Sequence, residues 1–559
     1  MDSSNALFED ESSAISRKLM DQIFGRASMP EKAFVDPVLP AMIAVAQGMA
    51  PHSLMVPSFG PHPTSTPLDP PVTESHLSAQ QSLPSPVRDA MARVEQGSDA
   101  SGLNPDRLTA LVSELQLHSS TAVQQKLGGR PFASHPGTTV SHSNNRKDPT
   151  KTSGYQPFNV DAVRADFPAL HQTINGHPLV WFDNAATTHK PQCVIDAMTH
   201  FYSRDYSNIH RAAHTLAARS TDAYEDARQT ISDFIHAHSS KDIVFVRGTT
   251  EGINFIAQTI KGQLRDGDEI LLSEMEHHAN IVPWQMISRE TRARIRVIPF
   301  NDQGEILLEE YRHLLSPRTK IVSLSHASNT LGTVLPVAEM TKMAHRFGAK
   351  VVIDGAQSIA HLPVDVQAIG CDYFVFSGHK VFAPTGIGVV YIHPNLHEEL
   401  PPWQGGGNMI RRVTFDETVY AEAPAKFEAG TPSIGDAVGL GAALKYLRQF
   451  EPNSLLQHEH ALLEHGTRLL APIPGLKIYG HAIEKVGVIS FTLNGYSTEQ
   501  VGKELDRHGI AVRTGHHCAQ PSLRHFGLDA TVRPSFALYN THAEIEHLVS
   551  VVRHLAKKS

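Results

Sequence analysis

Every tyrosine and every tryptophan in this chain lies at Tyr155 or beyond, whereas the first 150 residues hold 16 of its 36 prolines. A segment so poor in large aromatic side chains and so often broken by proline cannot bury enough apolar surface to offset the entropy of ordering itself. Runs such as Pro61-His62-Pro63-Thr64-Ser65-Thr66-Pro67, and the stretch 141–150, are turn-rich and lack any hydrophobic period. The break therefore predicts a largely disordered, Pro/Ser-rich extension over 1–154, followed by a folded body that reaches the C-terminus.

Three islands in the extension carry a pattern that a plain linker does not need. Ile15, Leu19 and Ile23 stand four apart within 12–26, and 38–49 is apolar with few charges. Asn104-Pro105 offers an N-cap followed by proline at the first helical position. Leu108, Leu111, Val112 and Leu115 then share one face, with a Leu103–Leu108 staple. These segments, the last running over 104–117, are expected to be short docking helices for a partner's groove. Weak packing on the folded body is the competing reading.

Charge and cysteine usage exclude other classes. Lys plus Arg total 49 against 57 Asp plus Glu, a formal net charge of −8, so no broad phosphate-binding surface for nucleic acid is expected. The apolar stretch 41–46 near the N-terminus falls far short of the roughly 20 residues that span a bilayer, so no membrane partner is expected. Cys193, Cys371 and Cys518 are too few for a disulfide framework, and with no signal-peptide pattern they point to the reducing cytoplasm. Cys193, in a predicted helix, and Cys371, at a strand start, are expected to be buried structural thiols.

From about 155 onward β-branched runs alternate with amphipathic stretches, an α/β pattern. The runs 243–246, 269–272, 295–300, 320–324, 350–353, 372–376 and 388–392 are short and mostly apolar, as strands buried on both faces by helices should be. One large, mostly parallel sheet is expected over 155–430. A smaller C-terminal α/β unit is expected over 431–559, with helices at 455–470, 498–508 and from Ala543, and strands at 487–493, 510–513 and 534–538.

Several constellations then carry chemistry. Lys380 ends Ser377-Gly378-His379-Lys380, directly after a buried strand, where a desolvated amine could form a Schiff base. Asp354, at the end of another strand in Asp354-Gly355-Ala356-Gln357, needs a cationic partner if buried, and a protonated pyridine nitrogen is one. Both would face the carboxyl edge of the sheet, where α/β ligands sit. Arg247-Gly248-Thr249-Thr250-Glu251 opens a helix after a strand and makes an anion seat. In Glu276-His277-His278-Ala279-Asn280, His277 can stack on a flat ring or move a proton. Cys518 lies in Arg513-Thr514-Gly515-His516-His517-Cys518, beside a cation and two histidines, surroundings that favour a nucleophilic thiolate. Zinc is disfavoured there because His516, His517 and Cys518 are adjacent in sequence, so no metal is expected. The run 458–465, which lacks a His-Glu-x-x-His pattern, is expected to be a solvated helix face.

Together with Asp183-Asn184-Ala185-Ala186-Thr187-Thr188 and Phe427-Glu428-Ala429-Gly430-Thr431-Pro432, these motifs resemble the group II, SufS-like cysteine desulfurases of the aminotransferase class V group, from about Phe158 to the C-terminus. The resemblance implies a fold-type I, pyridoxal 5'-phosphate-dependent homodimer acting on L-cysteine. It implies Lys380 as the cofactor-bearing lysine, Asp354 at the pyridine nitrogen, Gln357 at the ring hydroxyl and His277 over the ring. Thr249, Ser377 and His379 would hold the phosphate, joined across the dimer by Thr431. Arg533 would bind the substrate carboxylate, supported by Asn329 and Arg513, and Cys518 would take the sulfur as a persulfide for a SufE- or SufU-like acceptor protein. That sulfur would serve sulfur metabolism such as iron–sulfur cluster assembly.

The extension, in position and composition, resembles the N-terminal domains of cysteine desulfurases carried as cargo inside family 2 encapsulin shells, which implies a shell protein as partner and a nanocompartment as location. The alternatives are a tail that autoinhibits or is a spacer of no consequence, a selenocysteine lyase or cysteine sulfinate desulfinase on the same fold, or a scaffold on an inactive body. The last conflicts with an intact Asp354, Lys380 and Cys518.

Overall fold

The computed structural model describes residues 158–210 and 213–558. The three segments expected to dock, at 12–26, 38–49 and 104–117, lie outside the described residues.

The seven apolar runs form one sheet: β1 (Ile243–Val246), β2 (Glu269–Ser273), β3 (Arg294–Ile298), β4 (Thr319–Ser325), β5 (Lys350–Asp354), β6 (Tyr373–Ser377) and β7 (Gly388–Ile392). Their order is β1-β7-β6-β5-β4-β2-β3, parallel except for β7, which runs antiparallel to both β1 and β6. In the strands inside the sheet alternate residues feed two cores, which is why their runs lack a polar beat; the edge strand β3 departs from this, with Arg294 and Arg296 in it and Val297 exposed. In β5, Val351 and Ile353 enter one core and Val352 the other; in β6, Phe374 and Phe376 oppose Tyr373 and Val375. Helices α1 (Gln192–His200), α2 (Thr215–Phe234) and α4 (Ile434–Leu447) pack together on the first face, and α3 (Thr249–Ile260) covers the second.

A second, antiparallel sheet has the order β8-β9-β11-β10, from β8 (Leu476–Tyr479), β9 (Ser490–Leu493), β10 (Arg513–Gly515) and β11 (Thr531–Arg533). Its core joins Phe491 and Val532 to Leu462 and Leu470 of α5 (Pro452–Leu470) and to Ile545 and Leu548 of α6 (His542–Ala556). Val180 and Phe182, far upstream, complete it, because Val180–Trp181 pairs in parallel with Ile510–Ala511.

Four expectations are corrected. The strand expected at 534–538 is loop, and the strand lies at Thr531–Arg533 instead. Pro534 has no N–H for a ladder, and Ser535 makes single bridges to Asp183 and Val488. The run 510–513 divides between two pairings, Ile510–Ala511 with Val180–Trp181 and Arg513–Gly515 with Thr531–Arg533. Cys193 is exposed on α1, whereas Cys371 is buried as expected. The 458–465 face is solvated only in part: Glu459 is buried and accepts from the His361 ring at 2.8 Å, and His458 Nε2 lies 3.0 Å from the Asn540 carbonyl.

Candidate active site

The carboxyl ends of the parallel strands gather the chemistry at one edge. Asp354 ends β5, is buried, and accepts the Ala356 N–H at 2.9 Å. Burial raises its pKa, opposed by that hydrogen bond and by the charge of Lys380. Lys380 closes the single turn Gly378–Lys380 after β6. Burial lowers its pKa, Asp354 opposes the shift and Arg533 reinforces it, so the amine is poised nearer to its nucleophilic form. Gln357 is buried one turn beyond Asp354 and donates to the Ala185 carbonyl at 2.7 Å.

At the start of α3 the Ser377 hydroxyl accepts the Thr249 N–H at 2.8 Å and meets the Thr249 hydroxyl at 2.9 Å. Two hydroxyls gathered at a helix N-terminus suit an anion. The approach needs glycine: Gly248 has φ +156°, and a Cβ on Gly388 would stand 2.5 Å from the Gly248 Cα. His379, two residues after Ser377, has its Nδ1 3.3 Å from the Thr187 hydroxyl. Burial, then Lys380 and Lys190, hold His379 down to about 4, so it is neutral.

His277 follows β2. Its Nδ1 accepts the Ala279 N–H at 3.1 Å, which leaves the ring proton on Nε2. Burial first, then Lys380, His278 and Arg533, lower it to about 3. Its neighbour Glu276 is fully buried and gathers Ser273, Ser325 and Asn280 as hydrogen-bond donors. Burial raises its pKa to about 7.

Arg533 ends β11 and is 2% exposed. Its Nη1 donates to the Asn329 carbonyl at 2.8 Å and its Nη2 meets Asp183 Oδ1 at 3.3 Å, while Nε is buried without a hydrogen-bond partner. Asp183 Oδ2 also lies 3.6 Å from Nη1 of Arg513, so one carboxylate holds two guanidinium groups. Asn329 joins this cluster to the cysteine loop by donating to the His517 carbonyl at 2.7 Å.

Cys518 is half-buried in a turn where it and His517 both take left-handed backbone, φ +54° and +51°. Non-glycine residues rarely adopt this conformation, so the turn must be held from outside. The His278 N–H donates to the Cys518 carbonyl at 2.7 Å, His516 Nδ1 accepts the Cys518 N–H at 3.0 Å, and His278 Nε2 accepts the Gln520 N–H at 3.2 Å. His517 turns away, with Nε2 2.8 Å from the Thr531 hydroxyl. Lys380 and Arg533 both interact electrostatically with Cys518.

Of the residues expected at the site, Thr431 stands apart. It lines a cleft with Arg247 and Glu251, and its hydroxyl meets Asn208 Oδ1 at 3.4 Å. Asp183, Glu276 and His278 have structural work at the site that the sequence reading did not assign. Asp183 opens a motif already noted, and Glu276 and His278 flank His277, so adjacency was the available signal.

Pyridoxal phosphate fits these groups. A buried carboxylate awaits a cation at Asp354, a desolvated amine stands at Lys380, and hydroxyls meet a helix N-terminus at Thr249 and Ser377. Arg533 Nε, Asn329 Oδ1 and His517 Nδ1 are buried polar atoms left unpartnered near the cysteine turn.

Residues 180–548 match the aminotransferase class-V family. A cysteine desulfurase of Synechococcus elongatus is 51% identical over 527 residues, covering 93% of this chain and 82% of the relative. The crystal structure of the cysteine desulfurase CsdA from Escherichia coli superposes with TM-score 0.67 at 38% identity, over 72% of this chain and 99% of that one. The apo cysteine desulfurase of Thermococcus onnurineus NA1 gives TM-score 0.69 at 35% identity, over 71% and 98%. Fold and relatives together define a fold-type I, pyridoxal phosphate-dependent enzyme of class V. The chain belongs to the cysteine desulfurases of that family.

Proposed function

We propose that Cys518 is the nucleophile that takes the sulfur of L-cysteine, leaving L-alanine and a Cys518 persulfide that an acceptor protein collects. The observation that carries this reading is the turn itself: a half-buried thiol held in left-handed backbone by His278, His516 and Asn329, within electrostatic reach of Lys380 and Arg533.

Lys380 would carry the cofactor, Asp354 would face its ring nitrogen, Gln357 its hydroxyl and His277 its face. Thr249, Ser377 and His379 would hold the phosphate, with Thr431 supplied from the second subunit of a homodimer. When bound, pyridoxal phosphate disperses the negative charge that develops at the substrate Cα. Arg533, steadied by Asp183 and Asn329, orients the substrate carboxylate, and Arg513 adds positive charge beside it. Lys380 Nζ takes the Cα proton and returns a proton to the product carbon. His277, neutral with its proton on Nε2, can donate that proton without first gaining one. The Cys518 thiolate attacks the substrate sulfur; the new S–S bond forms as the substrate C–S bond breaks, and cysteine plus thiol becomes alanine plus persulfide with no outside oxidant.

The turn is short and tied at four points, so delivery of its sulfur requires an acceptor that comes to it, a role for a SufE- or SufU-like protein. The extension is read as the tether that places the dimer inside an encapsulin shell. The match to the Synechococcus relative covers more of this chain than the residues from Phe158 onward can supply, so that relative shares part of the extension. Two tails per dimer would add avidity.

The direct test compares alanine release from L-cysteine by wild type, Lys380→Ala and Cys518→Ser. Lys380→Ala should lose the yellow colour of the lysine-bound cofactor together with turnover. Cys518→Ser should keep the colour and lose turnover. Alanine released by Cys518→Ser at the wild-type rate would remove Cys518 from the role.

A further inference from the structure

Adjacency in sequence argues against a metal at His516-His517-Cys518, but the fold replaces one member of that trio. His517 points away to Thr531. His278, 240 residues upstream of Cys518, takes its place: one donor atom each from His278, His516 and Cys518 lies within 4.8 Å of the other two. The two imidazole rings face each other at a tilt of 31°, with centroids 5.6 Å apart.

Both rings already direct a lone pair at this turn. His516 Nδ1 accepts from the Cys518 N–H and His278 Nε2 from the Gln520 N–H, which leaves each ring proton on the far nitrogen. A metal bound through either of these lone pairs would displace the backbone N–H that now meets it. Zinc binds imidazole nitrogen at about 2.0–2.1 Å and thiolate sulfur at about 2.3 Å, so its tetrahedral ligands stand about 3.5 Å apart. Closing from 4.8 Å or less to that spacing asks little of the His516 side chain, which is exposed, while His278 and Cys518 are half-buried.

We propose that His278, His516 and Cys518 form a capture site for a soft divalent cation of the zinc class, three ligands with a fourth position open. Two imidazoles and one thiolate suit such an ion over magnesium or calcium, which take oxygen ligands. Binding replaces the Cys518 S–H bond with an S–metal bond and releases that proton to solvent; nothing is oxidised or reduced. The loaded site ties up the sulfur that must attack the substrate, so the metal shuts the enzyme off reversibly. The inhibitory part rests on the reading of Cys518 as nucleophile; the binding part does not.

The experiment is equilibrium dialysis of chelator-treated holoenzyme, the full chain, against buffered zinc without L-cysteine. It is paired with the rate of Cys518 alkylation by iodoacetamide. Wild type should take up one zinc per subunit at the site and be protected from alkylation. His278→Ala and His516→Ala should each weaken binding by at least about tenfold, a loss of the size seen when groups around a bound metal are removed, and Cys518→Ser should abolish it. Should His278→Ala fold poorly, His516→Ala alone and His278→Gln carry the test. Zinc uptake that survives replacement of both histidines would mean a bare thiol and would overturn the site, as would no protection of Cys518. If zinc binds as proposed and alanine release continues unchanged, the assignment of Cys518 as nucleophile fails while the metal site stands.

Discussion

Single residues at the site divide into those whose chemistry follows from what precedes them in sequence and those whose role depends on distant partners. Asp354 and Lys380 were legible because each directly follows a run that only a buried strand explains, so both had to emerge at one sheet edge. Asp183 was not, because its meaning comes from Arg513 and Arg533, brought beside it by pairing of β10 with β11. Glu276 was hidden for the same reason: Ser325, which gives it both a backbone and a side-chain donor, lies 49 residues on. Glu276 gives a test of its own. Its pKa is about 7 in the folded protein against an ordinary 4.5. The folded chain therefore holds a proton that the unfolded chain releases above pH 4.5, and this stabilisation is lost as pH rises through 7. Against Glu276→Gln, which does not titrate, wild type should lose up to about 3 kcal/mol between pH 4.5 and pH 8. Denaturant midpoints across that range measure the difference, and a pH-independent gap would refute the buried, protonated state.

Elements were read well where both faces are covered and poorly where pairing is long-range. The inner strands of the large sheet are legible because each must be apolar on both sides, as the alternation of β5 and β6 between two cores explains, whereas the edge strand β3 carries Arg294 and Arg296 and leaves Val297 exposed. The strand misplaced at 534–538 is apolar too, but Pro534 cannot donate to a ladder, and the paired residues precede it. No local pattern could show that Ile510–Ala511 pairs with Val180–Trp181, more than three hundred residues upstream. The junction of β6, β7 and α3 is a place at the cofactor edge where backbone meets backbone. In Gly388→Ala the new Cβ would meet the Gly248 Cα at 2.5 Å and the Phe376 carbonyl at 2.7 Å, both backbone atoms that cannot rotate away. The variant should lose roughly 1–3 kcal/mol and release its cofactor during gel filtration. An unchanged melting point with full colour would show that this approach does not set the phosphate seat.

At the scale of the whole molecule, a desulfurase body follows an extension whose composition cannot support a core of its own. Among the described residues no helix is long and apolar enough to cross a membrane. A chain lacking 1–154 should turn over L-cysteine at the full-length rate and no longer co-purify with a co-expressed encapsulin shell. A faster truncated enzyme would instead make the extension an inhibitor. The central claim concerns one sulfur atom, and the most direct test is mass spectrometry of the Cys518 peptide after a single turnover with L-cysteine and no acceptor. The account predicts that this peptide is one sulfur heavier in wild type, with alanine formed in equal amount. It also predicts no added sulfur on Cys193 or Cys371. Alanine formed in full while the Cys518 peptide stays unmodified would contradict it.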